Sequence, residues 1–319
     1  MNISKSVFVG VLSLVLVACG GGSETSGGEV ASPTTLKITV NNAEGVAKAA
    51  VSGEDAVFDS GAVAIFRSVE TASQDKLSIK YLSKIILKQS RTSGLVSLAR
   101  STRATEIVPC PGGGSMSFSG TEENGTATVV DCFFDGMLMN GSVAIIYSGS
   151  GDVENYLDDY QEDVKMTFSN VTVNVAGVSS LMDGTVQFVE SYSTANQRIV
   201  GTDSLPSFSL TVGAESFKIY DSISEWEKDY TVYSWNDSGT FDDSSIGVFS
   251  YDTLTTFEQN YDSYPHAGKI KIVGSNSSLV ISIVDTSSVT LELDSDGDSV
   301  IDETWSVSPS ELGFELYSY

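Results

Sequence analysis

The 319-residue chain carries 42 acidic and 17 basic residues, giving a formal net charge of −25 at pH 7, and 41% of its residues are hydrophobic. The negative charge argues against electrostatic binding to nucleic acid or to an acidic membrane surface, because both present phosphate groups that the chain would repel. The apolar content is enough for a folded core, and the single histidine, His266, excludes metal sites built from several histidines.

The first 18 residues have the pattern of a signal peptide. Lys5 supplies a positive charge, and residues 7–17 form an apolar run about half as long as the roughly 20 residues that span a bilayer. The run ends in Leu-Val-Ala immediately before Cys19. This segment resembles the lipobox of bacterial lipoproteins. The resemblance implies cleavage before Cys19 and a fatty-acyl lipid anchor on its thiol.

The residues after Cys19 bear on the location of the protein. Gly20 stands where aspartate, in the lipoprotein family, favours retention in the inner membrane, so the resemblance implies the bacterial outer membrane. Residues 19–34 are rich in glycine, serine, threonine and glutamate, which predicts a lipidated flexible tether. Whether the protein faces the periplasm or the cell surface is left open.

Residues 35–319 are predicted to form a single, mainly β domain with a helical part at 41–105. Residues 36–40 alternate as a short strand, and Asn41 is placed to cap a first helix. The predicted apolar side of this helix contains Val46, Ala47, Ala50 and Val51.

A second helix is predicted from Asp75 by an apolar stripe at helical spacing. Beside the stripe runs a line of lysines at intervals of four, namely Lys76, Lys80, Lys84 and Lys88. Residues 1–110 have a net charge of +2, whereas residues 111–319 have a net charge of −27. Three roles remain open for the lysines: binding anionic lipid, lying over the acidic β region, or forming a solvated face.

Cys110 and Cys132 are the two cysteines that remain if Cys19 carries lipid. An even pair in an oxidising compartment predicts a disulfide. Closing a loop of this length restricts the unfolded chain by roughly 3 kcal/mol.

From Ser115 onward the apolar pattern has the period of two that is typical of β-strands. Val164 and Phe168 share a face, and the parity then shifts to Val171, which predicts a β-bulge near Ser169-Asn170. Five dipeptides are predicted turns: Asp135-Gly136, Asn140-Gly141, Asp183-Gly184, Ser238-Gly239 and Asn276-Ser277.

These patterns predict an antiparallel meander of about a dozen strands over residues 115–319. The predicted fold class is α+β and mainly β, with N-terminal helices packed on a large curved antiparallel sheet. The sequence leaves open whether the sheet forms an open half-barrel, a barrel or a sandwich.

An acidic run at residues 294–302 is the sharpest chemical motif. It resembles the Asp-x-Asp-x-Asp calcium loops of EF-hand, dockerin-like and thrombospondin-type repeats. The predicted ligands are Asp294, Asp296, Asp298, the main-chain carbonyl of Val300, and Asp302. Two departures, Gly297 at position 4 and Trp305 at position 12, argue against a true EF-hand, and the absence of a glutamate at position 12 predicts weak binding. The alternative is an acidic turn between strands at 289–293 and 302–307.

No catalytic motif is found in the sequence, so the predicted role is non-enzymatic binding or scaffolding in the cell envelope. The partner is a protein, glycan or lipid ligand that the sequence does not identify. One alternative is a lipid or lipoprotein carrier with an apolar half-barrel cavity. The other is a carbohydrate-active enzyme that uses carboxylates. Its candidate carboxylates are the pairs Asp158-Asp159, Glu162-Asp163 and Asp242-Asp243.

Overall fold

The computed structural model describes residues 35–58, 106–121, 124–134, 136–150, 158–175 and 177–316. The predicted signal peptide, Cys19, the tether and the predicted lysine-rich helix all lie outside these ranges. The described residues fall within one compact unit, Pro33–Tyr319.

Strands dominate the described part of the chain, with a helix before them and a short helix after them. The helices are α1 (Ala43–Phe58) and α2 (Pro309–Leu312). The strands are β1 (Glu106–Pro109), β2 (Ser115–Gly120), β3 (Asn124–Phe134), β4 (Met137–Ser150), β5 (Tyr160–Val175), β6 (Val178–Ser193), β7 (Arg198–Val212), β8 (Glu215–Lys228), β9 (Val232–Asp243), β10 (Gly247–Asn260), β11 (Pro265–Gly274), β12 (Ser277–Asp285), β13 (Ser288–Asp294) and β14 (Glu303–Val307).

All fourteen described strands form one antiparallel sheet in which each strand pairs with its neighbours in chain order. The predicted mainly β meander is therefore confirmed. Within this set of strands, β1 and β14 do not pair with each other, so the sheet is open. The sequence prediction did not include β1, because its four residues lie between the predicted helical part and the predicted start of the meander.

Strand β5 shows how the alternating pattern builds the core. Val164 and Phe168 are buried, and beyond a register shift against β6 the buried position moves to Val171. Asn170, inside that shift, has a φ of 50°. One extra residue in a strand reverses the side-chain parity, so the predicted bulge is confirmed.

Three of the five predicted turns are wrong, because the dipeptides lie inside long strands. Asn140-Gly141 is in β4, Asp183-Gly184 in β6 and Ser238-Gly239 in β9. A Cβ atom on Gly141 would lie 2.6 Å from the Cα atom of Val171, at the β5 bulge. Glycine is therefore required there by the close approach of a neighbouring strand, not by a chain reversal.

Aromatic side chains fill much of the buried face of the sheet. The rings of Phe217 and Phe241 stack at 5.4 Å, and so do those of Phe241 and Phe249. Phe168 and Phe208 meet edge to face at 6.0 Å. Such ring pairs add to the free energy gained by removing the apolar area from water.

Residues 35–39, called here the strap, attach the start of the domain to the sheet. The backbone N–H of Leu36 donates to the carbonyl of Val248 at 2.8 Å, and the N–H of Ser275 donates to the carbonyl of Leu36 at 2.6 Å. The N–H of Ile38 donates to Ser277 Oγ at 2.8 Å. The strap is therefore held by β10 and by the β11–β12 hairpin.

Helix α1 begins at Ala43, so the first predicted helix is present, although its start is shifted from Asn41. Val46, Ala47 and Ala50 are buried, as predicted. The helix contacts α2 and β12. The predicted arrangement of several N-terminal helices packed on the sheet is not shown, since the second helix lies outside the described ranges. No helix in those ranges has the length and apolar character needed to cross a membrane.

Cys110 and Cys132 are placed as the predicted disulfide requires. Their sulfur atoms are at bonding distance, and their Cα atoms are 5.5 Å apart. The N–H of Gly112 donates to the carbonyl of Phe133, and the N–H of Phe133 donates to the carbonyl of Gly113, both at 3.0 Å. The loop after β1 is therefore held to β3 by backbone hydrogen bonds as well.

Candidate metal centre

The acidic motif forms the connection between β13 and β14. Leu291 of β13 pairs with Trp305 of β14, and Leu293 pairs with Glu303. The N–H of Asp302 donates to the carbonyl of Leu293 at 2.8 Å. Both ends of the loop are therefore fixed by a hairpin, which agrees with the two strands predicted on either side of it.

Three of the five predicted ligands come together in this loop. Asp294, Asp296 and Asp302 each offer a carboxylate oxygen, and these oxygens lie within 4.8 Å of one another. Calcium binds oxygen ligands at 2.3–2.6 Å, so ligands of one ion are at most about 5 Å apart. Asp298 is not in this group, and its Oδ1 accepts a 2.7 Å hydrogen bond from the N–H of Val300.

Asp294 is the buried member of the group, with 4% of its surface exposed. Its Oδ1 accepts from the N–H of Gly297 at 2.7 Å, and its Oδ2 accepts from the N–H of Ser299 at 3.0 Å. Gly297 and Ser299 have φ values of 80° and 70°, which let the loop wrap around this carboxylate. Each carboxylate oxygen has two acceptor positions, so both oxygens keep capacity for a cation.

Asp302 is held at the other end of the loop by Ser295. Its Oδ2 accepts from the hydroxyl of Ser295 at 2.6 Å and from the N–H of Ser295 at 2.8 Å. These hydrogen bonds, with a smaller contribution from the positive charge of Lys37, lower the pKa of Asp302. Asp302 is therefore ionised at neutral pH, as a metal ligand must be.

The acidic loop packs against the same hairpin that holds the strap. A Cβ atom on Gly297 would lie 3.0 Å from the carbonyl carbon of Asn276, in the β11–β12 turn. The neighbouring Ser275 donates to the strap. The candidate site and the beginning of the folded domain are therefore adjacent.

The ligand chemistry of the group favours a hard cation. The three residues that converge here each offer a carboxylate oxygen, and oxygen ligands suit calcium or magnesium rather than a soft metal. A cation at three carboxylates also removes the repulsion among them.

Two of the carboxylates considered for glycoside hydrolysis accept hydrogen bonds in turns, and one pair is divided between the two faces of the sheet. Asp159 Oδ1 accepts from the N–H and the hydroxyl of Thr194, both at 2.7 Å. Asp243 Oδ1 accepts from the N–H of Ser245 at 2.6 Å in the β9–β10 turn. Glu162 and Asp163 are consecutive in β5, so they point to opposite faces and do not flank a common bond.

Four carboxylates, which the sequence did not single out as a group, share the buried face of the sheet. We call them the acidic wall: Glu162 of β5, Glu190 of β6, Asp203 of β7 and Asp237 of β9. Glu162 pairs directly with Glu190 across the strands. Asp203 pairs with Ser224 of β8, and Ser224 pairs with Asp237 of β9, so the two aspartates lie on the same face of the sheet. The sequence could not reveal this group, because strand register brings together residues that are distant in sequence.

Aromatic side chains accompany the acidic wall. The indole Nε1 of Trp226 donates to Asp203 at 3.0 Å, and the hydroxyl of Tyr160 donates to Glu190. Lys228 Nζ lies 5.3 Å from the centre of the Trp226 ring. This part of the buried face is therefore polar, unlike the phenylalanine-lined part described above.

Comparisons with known proteins do not assign a function to either group of carboxylates. The chain matches no protein-family model, no curated protein and no solved structure. The interpretation of both groups therefore rests on their own geometry.

Proposed function

We propose that this protein is a bacterial lipoprotein anchored in the outer membrane, with a non-enzymatic binding or scaffolding role in the cell envelope and a weak calcium site that stabilises it. The lipobox-like residues that end at Cys19 support the anchor. The observation that carries the calcium site is the convergence of Asp294, Asp296 and Asp302 within 4.8 Å.

Calcium binding follows from the charge of the surroundings. Residues 111–319 have a net charge of −27, so three carboxylates placed together repel one another and this region offers them little compensating charge. Position 12 of the motif is Trp305, which lies in β14 and supplies no bidentate carboxylate. The expected dissociation constant is therefore in the weak class of extracellular modules, about 10⁻⁴ to 10⁻³ M.

Two features of the described strands support binding or scaffolding over the alternatives. The carboxylates of Asp159 and Asp243 are engaged in turns, which does not favour a glycosidase built on them. The rings of Phe168 and Phe208 pack together on the buried face, which favours a structural core there over a lipid cavity.

The calcium site is tested by thermal unfolding with calcium and with a chelator. For a dissociation constant of about 1 mM, 10 mM calcium stabilises the native state by about 1.4 kcal/mol, which raises the melting temperature by a few degrees. Asp296→Asn removes a converging ligand, so we expect the calcium-dependent shift to be lost.

Asp298→Asn is the matched control, because it makes the same chemical change two residues away but outside the converging group. This variant is expected to keep the calcium-dependent shift. If calcium shifts wild type and Asp296→Asn equally, or shifts neither, the loop is only an acidic turn and the calcium proposal is wrong.

A further inference from the structure

The sheet face that carries the acidic wall is partly shielded from solvent, because Asp203 is buried and Glu162, Glu190 and Asp237 are half-buried. Asp203 is 5% exposed, and the neighbouring Trp226 and Tyr160 are 6% and 3% exposed. Side chains on a sheet face are shielded to this extent when another layer lies on them. Any segment that covers this face meets carboxylates, and burying carboxylates is costly unless cations or hydrogen-bond donors compensate them.

The cations that suit this face are concentrated in one part of the sequence. Residues 59–105 contain eight of the 17 lysines and arginines and only three acidic residues. Four of these cations are the evenly spaced lysines of residues 76–88. By contrast, residues 111–319 contain six basic and 33 acidic residues. Charge complementarity therefore singles out residues 76–88.

We propose that residues 76–88 dock on the acidic wall, with their lysines facing Glu162, Glu190, Asp203 and Asp237. This inference is independent of the calcium proposal, because the calcium site lies in the β13–β14 loop and the acidic wall lies on other strands. It assigns the lysine line an intramolecular partner rather than a membrane lipid.

The connecting lengths of chain permit this docking. Residues 59–75, which follow α1, span up to about 56 Å when extended. Helix α1 contacts β12, and five strand spacings of about 4.8 Å separate β12 from β7, which is about 24 Å. Residues 89–105 are equally long, and four spacings, about 19 Å, separate β5 from β1.

Zero-length carbodiimide cross-linking of the full chain tests the proposal, because it joins lysines to carboxylates that are in contact. Peptide mapping is expected to recover cross-links from residues 76–88 to Glu162 or Glu190. Lys228 also lies on this face. Its cross-links are distinguished from those of residues 76–88 because they contain the peptide that carries Lys228.

Charge reversal provides the second measurement. Glu162→Lys with Glu190→Lys is expected to lower the melting temperature. Adding the four substitutions Lys76→Glu, Lys80→Glu, Lys84→Glu and Lys88→Glu is expected to restore part of the loss. Glu225→Lys with Asp252→Lys is the matched control, because both residues are exposed on neighbouring strands. This control is expected to leave the wall cross-links unchanged.

If the reversed wall does not fold, Glu162→Gln with Glu190→Gln removes the charges with little change in shape. A lowered melting temperature of this variant then supports docking, whereas the loss of cross-links at these two positions carries no information, because glutamine has no carboxylate to couple. Cross-links spread evenly over outer-face carboxylates would show a solvated lysine face and overturn the proposal. Lysine-dependent binding to phosphatidylglycerol vesicles without wall cross-links would also overturn it, in favour of a lipid partner.

Discussion

Single residues with positive φ mark the places where neighbouring strands change register. Between β5 and β6, Asn170 adopts a φ of 50° and donates its N–H to Asp183 Oδ2 at 3.1 Å. Gly184, next to that aspartate, has a φ of 125°. The same arrangement occurs between β3 and β4, with Asp131, Asn140 and Gly141. An Asx-Gly pair opposite a bulge is therefore a recurring local structure in this sheet.

Gly184→Ala is expected to destabilise the protein by about 2 kcal/mol or more. The new Cβ atom would lie 2.3 Å from the carbonyl oxygen of Ser207 and 2.7 Å from the Cα atom of Phe208, and the backbone conformation would be strained as well. The midpoint of urea unfolding measures the change.

Gly45→Ala in α1 is the matched control, because a Cβ atom there meets nothing within 4 Å. Alanine in a helix is expected to stabilise the protein by about 0.5–1 kcal/mol relative to glycine. Equal effects of the two substitutions would show that the β6 glycine is not required by its bulge.

Strand β1 is held to the sheet in part by the disulfide between Cys110 and Cys132. It has four residues and pairs only with β2 among the described strands. Cys110 follows it directly and is bonded to Cys132, near the end of β3. A disulfide there ties the edge of the sheet to its third strand.

Replacing both Cys110 and Cys132 by serine is expected to lower the free energy of unfolding by about 3 kcal/mol, because the unfolded chain loses the restraint of a closed loop. Urea unfolding with and without reductant measures the effect. Reduced wild type is the control and should unfold like the double variant. Two free thiols in non-reducing peptide maps of protein from an oxidising compartment would contradict the pairing.

Across the whole molecule, anchoring and folding are expected to be separable. The first described contacts of the domain begin at Thr35, which forms a parallel bridge with Val248. Fifteen residues with little apolar content separate Cys19 from this point. A change at Cys19, the proposed lipid attachment site, should therefore leave the packing of the sheet intact.

Cys19→Ser is expected to release the protein from the membrane fraction without changing its melting temperature. Intact-mass measurement of the wild-type protein should show an acylated chain beginning at Cys19. Cleavage at another position, or an unmodified amino terminus in the membrane fraction, would contradict the anchor. A lowered melting temperature of Cys19→Ser would show that the tether contributes to the fold.

The candidate site was only partly readable from the sequence. The spacing of aspartates identified the loop, but it could not separate Asp296, which converges with Asp294, from Asp298, which accepts a hydrogen bond from Val300. That choice depends on backbone conformation at Gly297 and neighbouring residues, and spacing does not encode it. The acidic wall was not predicted as a group, because its members meet only through strand register.

By itself, the sequence determined the antiparallel meander, the parity shift at Asn170 and the hairpin around the acidic loop. These features are local, because a strand's side chains alternate with a period of two whatever its neighbours are. Only the tertiary structure decided that Asp183-Gly184 lies in a strand, that three carboxylates converge, and that four others line one buried face. These outcomes depend on which distant strands become neighbours, and that pairing is a property of the whole sheet.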